Sequence, residues 1–154
     1  MKLRWALVVL IILLGIAVRF VQYTSDRPLW ADEAMLIVNI LSRSYAELFT
    51  PLDYEQQAPI GFLLVEKWLT TVFGIEEYIL RLFPFIASMG SLILMAIVSM
   101  EVLPYVYSLL AILLFIFSAP LIYYASEVKP YALDLTVGLL LTVLSVRRQK
   151  PLIP

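Results

Sequence analysis

The 154-residue chain has no cysteine and no histidine. Without cysteine there is no disulfide framework, no thiolate nucleophile and no redox argument. Without histidine the commonest general base and the commonest metal ligand are both missing. Acid–base chemistry must therefore fall to Asp, Glu, Lys or Tyr. Charge is also scarce: charged residues make up 15% of the chain and the formal net charge is −1, which excludes the basic footprint of a nucleic-acid binder. What is abundant is apolar surface. Hydrophobic residues reach 62% and the mean hydropathy is +0.94. Soluble domains hold about 45–50% apolar residues, and a chain this short has no interior large enough for the excess. The composition therefore predicts an all-α integral membrane protein.

The apolar runs predict about four transmembrane helices, at 5–21, 78–100, 105–124 and 131–146. The first follows the basic start Lys2–Arg4. A cleavable signal peptide, with a small-residue site at Gly15–Ala17, is the alternative for it. The run continues past that site to Phe20 and Val21, which favours an uncleaved anchor, with Arg19 snorkelling to the interface. Residues 22–77 form a more polar outer loop with two interfacial helices. The first, about 33–48, has apolar residues at helical spacing. The second, about 59–73, carries Glu66–Lys67 at its centre, where two charges in a span would cost about 2.5–3.5 kcal/mol each. Gly74 suits its C-terminal end. Tyr105, Tyr107, Tyr123 and Tyr124 are read as an aromatic belt. The basic ends Lys2/Arg4 and Arg147/Arg148/Lys150 place both termini in the cytoplasm of a multi-pass plasma-membrane protein.

This topology brings three polar segments to the outer face: Trp30–Glu33, Tyr54–Pro59 and Ser126–Tyr131. Arg81 and Asp134 sit one turn inside the same boundary. Ionisable residues at membrane depth are expensive, which makes this convergence a candidate site. Each residue also has a plain structural reading. Asp32 suits the N-cap of a helix beginning at Glu33. Asp32 and Glu33 point about 100° apart on a helix, so one can face a pocket while the other binds structure. Arg81 suits an interface anchor, Glu127 and Lys129 a solvated loop, and Asp134 a helix cap or a partner for Lys129.

The order of these pieces resembles the GT-C glycosyltransferases, in particular those similar to dolichyl-phosphate-mannose protein mannosyltransferases and bacterial lipid-A aminoarabinose transferases. The resemblance is carried by Arg19 followed by Trp30-Ala31-Asp32-Glu33-Ala34, by Pro59–Leu64 with Trp68-Leu69 and Phe73-Gly74, by Arg81–Pro84, and by Ser118–Pro120 followed by Tyr124–Leu133. It covers Gly15 to Leu141 and only the N-terminal portion of such enzymes. A fragment, a truncated reading frame or one half of a split enzyme is therefore expected, with a missing C-terminal part. Ala58 stands where the family has the first proline of a pair, and Lys129 where arginine is common. Gln56-Gln57 fill a stretch that is acidic in metal-using members.

The resemblance implies transfer of a hexosyl or pentosyl group from a polyprenyl-phosphate donor to a lipid, glycan or protein acceptor on the outer face. It makes Asp32 the catalytic base, with Glu33 holding the loop or assisting. Arg81, Glu127, Lys129 and Asp134 become the substrate and phosphate site. No metal ligand set is assigned and no cofactor is certain, although Glu55 leaves room for a divalent metal. The alternative class is a non-enzymatic membrane module, such as a transporter or assembly subunit, or an inactive remnant. The two separate on whether Asp32, Arg81 and Glu127 converge on one cavity.

Overall fold

The computed structural model describes residues 2–25 and 27–149. Lys150 and the Lys2 side chain, counted above in the basic ends, lie outside the described residues. All regular structure among the described residues is helical: α1 (Lys2–Thr24), α2 (Ala31–Ser42), a 3-10 turn (Glu47–Phe49), α3 (Ile60–Phe73), α4 (Glu77–Leu80), α5 (Leu82–Val102), α6 (Tyr105–Ile116), α7 (Ala119–Tyr124) and α8 (Tyr131–Gln149). Two stretches, Arg4–Thr24 and Glu77–Val102, are long and apolar enough to cross a membrane.

The departures from the expected bounds have local causes. The stretch 105–124 divides into α6 and α7 because Pro120, near the start of α7, lacks the N–H that would bond Ile116. Pro84 does the same to Leu80 and marks the joint between α4 and α5 at Arg81. Helix α2 ends at Ser42, and Tyr45–Leu48 leave the helical path for the 3-10 turn. Helix α3 closes on Gly74, whose φ of +96° is open to glycine alone at little cost.

Helix α5 is the centre of the bundle and packs against α1, α6, α7 and α8. Val8, Ile11, Leu92, Ala96, Ile112 and Ile116 form one buried cluster. The buried face of α5 is rich in small residues, Ala87, Ser88, Ser91, Ala96 and Ser99, which lets backbones approach closely. Thr136 of α8 donates to the Ala87 carbonyl at 2.6 Å. On α1, a Cβ at Gly15 would lie 2.7 Å from Ile116 Cγ2 and 3.1 Å from Leu92 Cδ2. Helix α1 is therefore built into the core. Arg19 does not snorkel: it is fully buried, with Nε donating to Ser88 Oγ at 2.8 Å and the guanidinium 5.6 Å from the Phe115 ring centroid. No ion pair serves it among the described residues. The outward faces carry Trp5, Leu10, Val21, Val106 and Leu114, each more than half exposed. Water would penalise such surface and hydrocarbon would not.

A second layer is formed by α2, the 3-10 turn and α3 around Leu36, Ile40, Leu48, Phe62 and Leu63, with Phe83 and Leu133 joining it to the bundle. A small third cluster, Ile37, Leu80 and Val128, ties α2 to α4 and to the loop before α8. Within the second layer Glu66 is fully buried, neither carboxyl oxygen has a partner among the described residues, and burial pushes its pKa up to about 9.

Two predictions follow from this packing. Gly15→Val should lower the unfolding temperature in detergent micelles, by overpacking worth about 1–3 kcal/mol. Gly138→Ala, where a Cβ meets open space, should not. For Glu66, unfolding returns the carboxyl to water and to an ordinary value near 4.5. Between there and about 9 the folded form keeps a proton that the unfolded form gives up. Stability therefore falls as pH rises through that window, by on the order of 3 kcal/mol at pH 7. Thermal unfolding of Glu66→Gln should match the parent near pH 4.5 and exceed it increasingly toward pH 8.

Candidate functional site

The site gathers at one end of the bundle, where the start of α2 meets the loop between α7 and α8. Helix α2 begins earlier than expected. Trp30 is its N-cap, Asp32 lies in its first turn, and Glu33 supplies the capping carboxylate by accepting the Trp30 N–H at 3.3 Å. Asp32 is thus free of the capping role that its position suggested.

Glu33 is fully buried. Arg27 donates Nη1 to its Oε2 at 3.1 Å and Nη2 to its Oε1 at 3.2 Å, a two-pronged pair. The Val128 N–H donates to Oε1 at 2.9 Å. One carboxylate therefore fastens the 27–33 segment to the distant 125–130 loop. That loop was expected to be solvated. Instead Ala125 to Pro130 are all buried, because Glu33 and the Ile37–Leu80–Val128 cluster draw it inward. Arg27 adds a 2.7 Å bond to the Tyr123 hydroxyl and lies 4.4 Å from the centroid of the same ring.

Asp32 is partly exposed beside this clasp. Lys129 Nζ lies 2.8 Å from its Oδ2, and Gln56 Nε2 donates to its Oδ1 at 2.9 Å. Lys129 also donates to Gln56 Oε1 at 2.6 Å, which closes a triangle. These bonds, that from Lys129 first, hold the Asp32 carboxyl below the ordinary aspartate value. Gln56 is aimed by a loop with two consecutive left-handed residues, Tyr54 (φ 60°) and Glu55 (φ 55°). Each such residue costs roughly 1–2 kcal/mol. Buried Asn39 offsets that strain. Its Oδ1 accepts the Asp53 N–H at 2.8 Å and its Nδ2 donates to the Asp53 carbonyl at 3.2 Å.

Glu127 is almost fully buried. Its Oε1 accepts the Trp30 indole N–H at 3.1 Å and its Oε2 has no partner among the described residues. Burial pushes its carboxyl above the ordinary value. Trp30, Asp32, Tyr123, Tyr124, Glu127 and Tyr131 line a cavity of about 570 Å³ together with Ala119 and Pro120.

The remaining expected residues sit differently. Arg81 is buried at the α4–α5 joint, 3.3 Å from Glu77 Oε2, and donates to the Arg27 carbonyl. It braces the Arg27 segment from behind and does not line the cavity. Asp134 is exposed in the first turn of α8, and Lys129 pairs with Asp32 in its place. Tyr123 and Tyr124 belong to the cavity as well as to any belt. Arg27 and Asn39 were not singled out from sequence, and Gln56 only within the Tyr54–Pro59 segment and the stretch that is acidic in metal-using members. The one signal was the long polar stretch that holds all three. Among the described residues no three Asp or Glu side chains gather as a metal site, and Glu55 is exposed.

Comparison of the chain with protein-family models, with curated proteins and with solved structures finds no match.

Two predictions test the clasp. Arg27→Met strands the buried Glu33 carboxylate and should destabilise the fold by about 3–5 kcal/mol in denaturation measurements. Asn39→Ala removes both bonds to Asp53 and should cost about 1–3 kcal/mol, with faster protease cleavage at residues 53–57 as the local readout.

Proposed function

We propose that the chain is a GT-C-type glycosyltransferase module, corresponding to the N-terminal portion of such enzymes. It would move a hexosyl or pentosyl group from a polyprenyl-phosphate donor to a hydroxyl of a lipid, glycan or protein acceptor. In this reading α1, α4–α5, α6–α7 and α8 are four spans of the plasma membrane, with α2 and α3 on the outer face and both termini in the cytoplasm. The positions of the charged ends support it. Tyr105 donates to the Arg4 carbonyl and Arg147 pairs with Glu101, which groups these residues at the end of the bundle away from Asp32.

The observation that carries the proposal is the Asp32–Lys129–Gln56 triangle beside the aromatic cavity. The acceptor oxygen attacks the anomeric carbon, and the bond from that carbon to the phosphate oxygen breaks. The phosphate leaves with the electron pair, and Asp32 takes the acceptor proton. While Lys129 holds Asp32, the carboxylate is a weak base. A donor phosphate that draws Lys129 toward itself removes that restraint, so donor binding strengthens the base as it neutralises the leaving group.

The test is a transfer assay in native membranes with radiolabelled polyprenyl-phosphate sugars, on this chain with any downstream-encoded partner. Asp32→Asn should lose about 10²–10⁴-fold in turnover. Lys129→Met removes the main cause of the lowered Asp32 value. The acid limb of kcat/KM should then move to higher pH. Wild-type turnover in Asp32→Asn would remove Asp32 from the base role. A second reading, a non-enzymatic membrane module, is favoured by one feature: Asp32, Glu33, Arg27 and Lys129 all find partners within the protein. In that case Asp32→Asn would change stability alone, and no donor would be consumed.

A further inference from the structure

The end of the bundle away from Asp32 carries a cavity of its own. A groove of about 440 Å³ runs between α1 and α5, with Trp5, Val8 and Val9 on one side and Ile93, Ala96 and Met100 on the other. On α1 its lining falls at Trp5, Val8, Val9 and Ile12, the spacing of a single helix face. On α5 it runs from Ile93 to Glu101. At 1.5 Å per residue the groove extends for roughly 10–12 Å along the helix axes, most of one hydrocarbon leaflet of about 15 Å. Val8 and Ala96 close the floor, both buried, and the small Ala96 keeps it deep. The walls are open to the outside: Trp5, Val9 and Ile93 are each more than half exposed.

The mouth of the groove is charged. Arg147 of α8 and Glu101 of α5 line it there. Arg147 Nε donates to Glu101 Oε1 at 2.9 Å, and Nη2 lies 2.9 Å from the same oxygen. This pair fixes the guanidinium at the mouth. More than half of the Arg147 side chain is still exposed, so its outer N–H groups stay open to a further acceptor. Arg148 stands next to it in the chain and is exposed as well. Among the described residues this end holds three cations, Arg4, Arg147 and Arg148, against the single acid Glu101. Trp5, in the first turn of α1, suits headgroup level, where an amphipathic ring is at home.

An apolar slot nearly as deep as a leaflet, ending in surplus positive charge, matches a molecule with a long hydrocarbon chain and an anionic head. We infer that the groove seats an anionic phospholipid of the cytoplasmic leaflet, with one acyl chain along α1 and α5 and the headgroup phosphate accepting from Arg147 and Arg148. Both halves of the lipid contribute. A zwitterionic lipid with the same chains gains the apolar contact without the charge, and a free phosphate gains the charge without the contact. A helix of a second copy would fill the slot and leave the surplus charge unanswered. Negatively charged lipids of the cytoplasmic leaflet attract basic residues at this depth. The seat rests on α1 and α5 crossing the membrane with this end in the cytoplasm. It is independent of the transferase reading, whose donor lies at the opposite face.

The experiment is native mass spectrometry of the full chain in detergent, titrated with dioleoyl phosphatidylglycerol or dioleoyl phosphatidylcholine. Phosphatidylglycerol should bind about tenfold more tightly or better. Arg147→Gln with Arg148→Gln should remove the preference, at about fivefold for each arginine. Ile93→Trp fills the slot from an exposed wall position and should weaken phosphatidylglycerol about tenfold. Val106→Trp, exposed and outside the groove, should leave it unchanged. Soluble glycerol 3-phosphate should not bind over the same range. Equal binding of the two lipids overturns the inference. So does a preference that survives either the arginine variant or Ile93→Trp, or glycerol 3-phosphate binding as tightly as the lipid. A dimer that Ile93→Trp dissolves would give the groove to a second copy and overturn it too. Release of the chain from native membranes by alkaline carbonate would remove the spanning reading and the seat with it. None of these outcomes depends on sugar transfer.

Discussion

A carboxylate removed from water must recover the hydrogen bonds and the opposite charge that it gave up. Glu33 does so from three places at once: the guanidinium of Arg27, the N-cap amide of its own helix, and the amide of Val128 nearly a hundred residues away. The site depends on this arrangement. It fixes where α2 begins, it turns Asp32 outward by one residue step, and it draws the loop carrying Glu127 and Lys129 against the start of α2. Arg81 supports the same point by holding the Arg27 backbone.

The bundle beneath is held in another way. It has few polar ties, and its close contacts come from small residues on α5 and from Gly15 on α1. Apolar faces turned outward contribute little to its cohesion, which rests on the close packing of these small residues. The polar contacts of the site cluster at one end, where α2, the 53–57 loop and the loop before α8 meet. Strain is concentrated there too, in Tyr54 and Glu55, and it is offset by Asn39. Such strain aims Gln56, a residue with no charge of its own, into an ion pair.

The helices were legible in the sequence because long apolar runs and apolar residues at helical spacing mark them, whichever face is buried. The breaks were less so: Pro84 and Pro120 were visible, but how far each interrupts a helix depends on the carbonyl it leaves unpaired. Asp32, Glu33, Glu127 and Lys129 could be grouped because topology put their segments on one face. Their division of labour could not. Adjacent Asp32 and Glu33 look alike in sequence, and it is Arg27, six residues before Glu33, and the distant Val128 that make one of them structural. Arg19 looked like an interfacial arginine because sequence shows its depth and not the Ser88 hydroxyl opposite. Asp134 looked like a partner for Lys129 because the competing partner, Asp32, lies far away along the chain.

The central claim is that segments far apart in sequence meet at Asp32 and Lys129. Because the chain has no cysteine, a pair of introduced cysteines reports on this without interference. Asp32→Cys with Lys129→Cys, treated in native membranes with a short bis-thiosulfonate reagent, should cross-link within one chain and lose both sites to later maleimide labelling. The pair Asp32→Cys with Asp134→Cys should react far less. Cross-linking that favours Asp134, or two independently labelled cysteines at 32 and 129, would contradict the meeting of these segments.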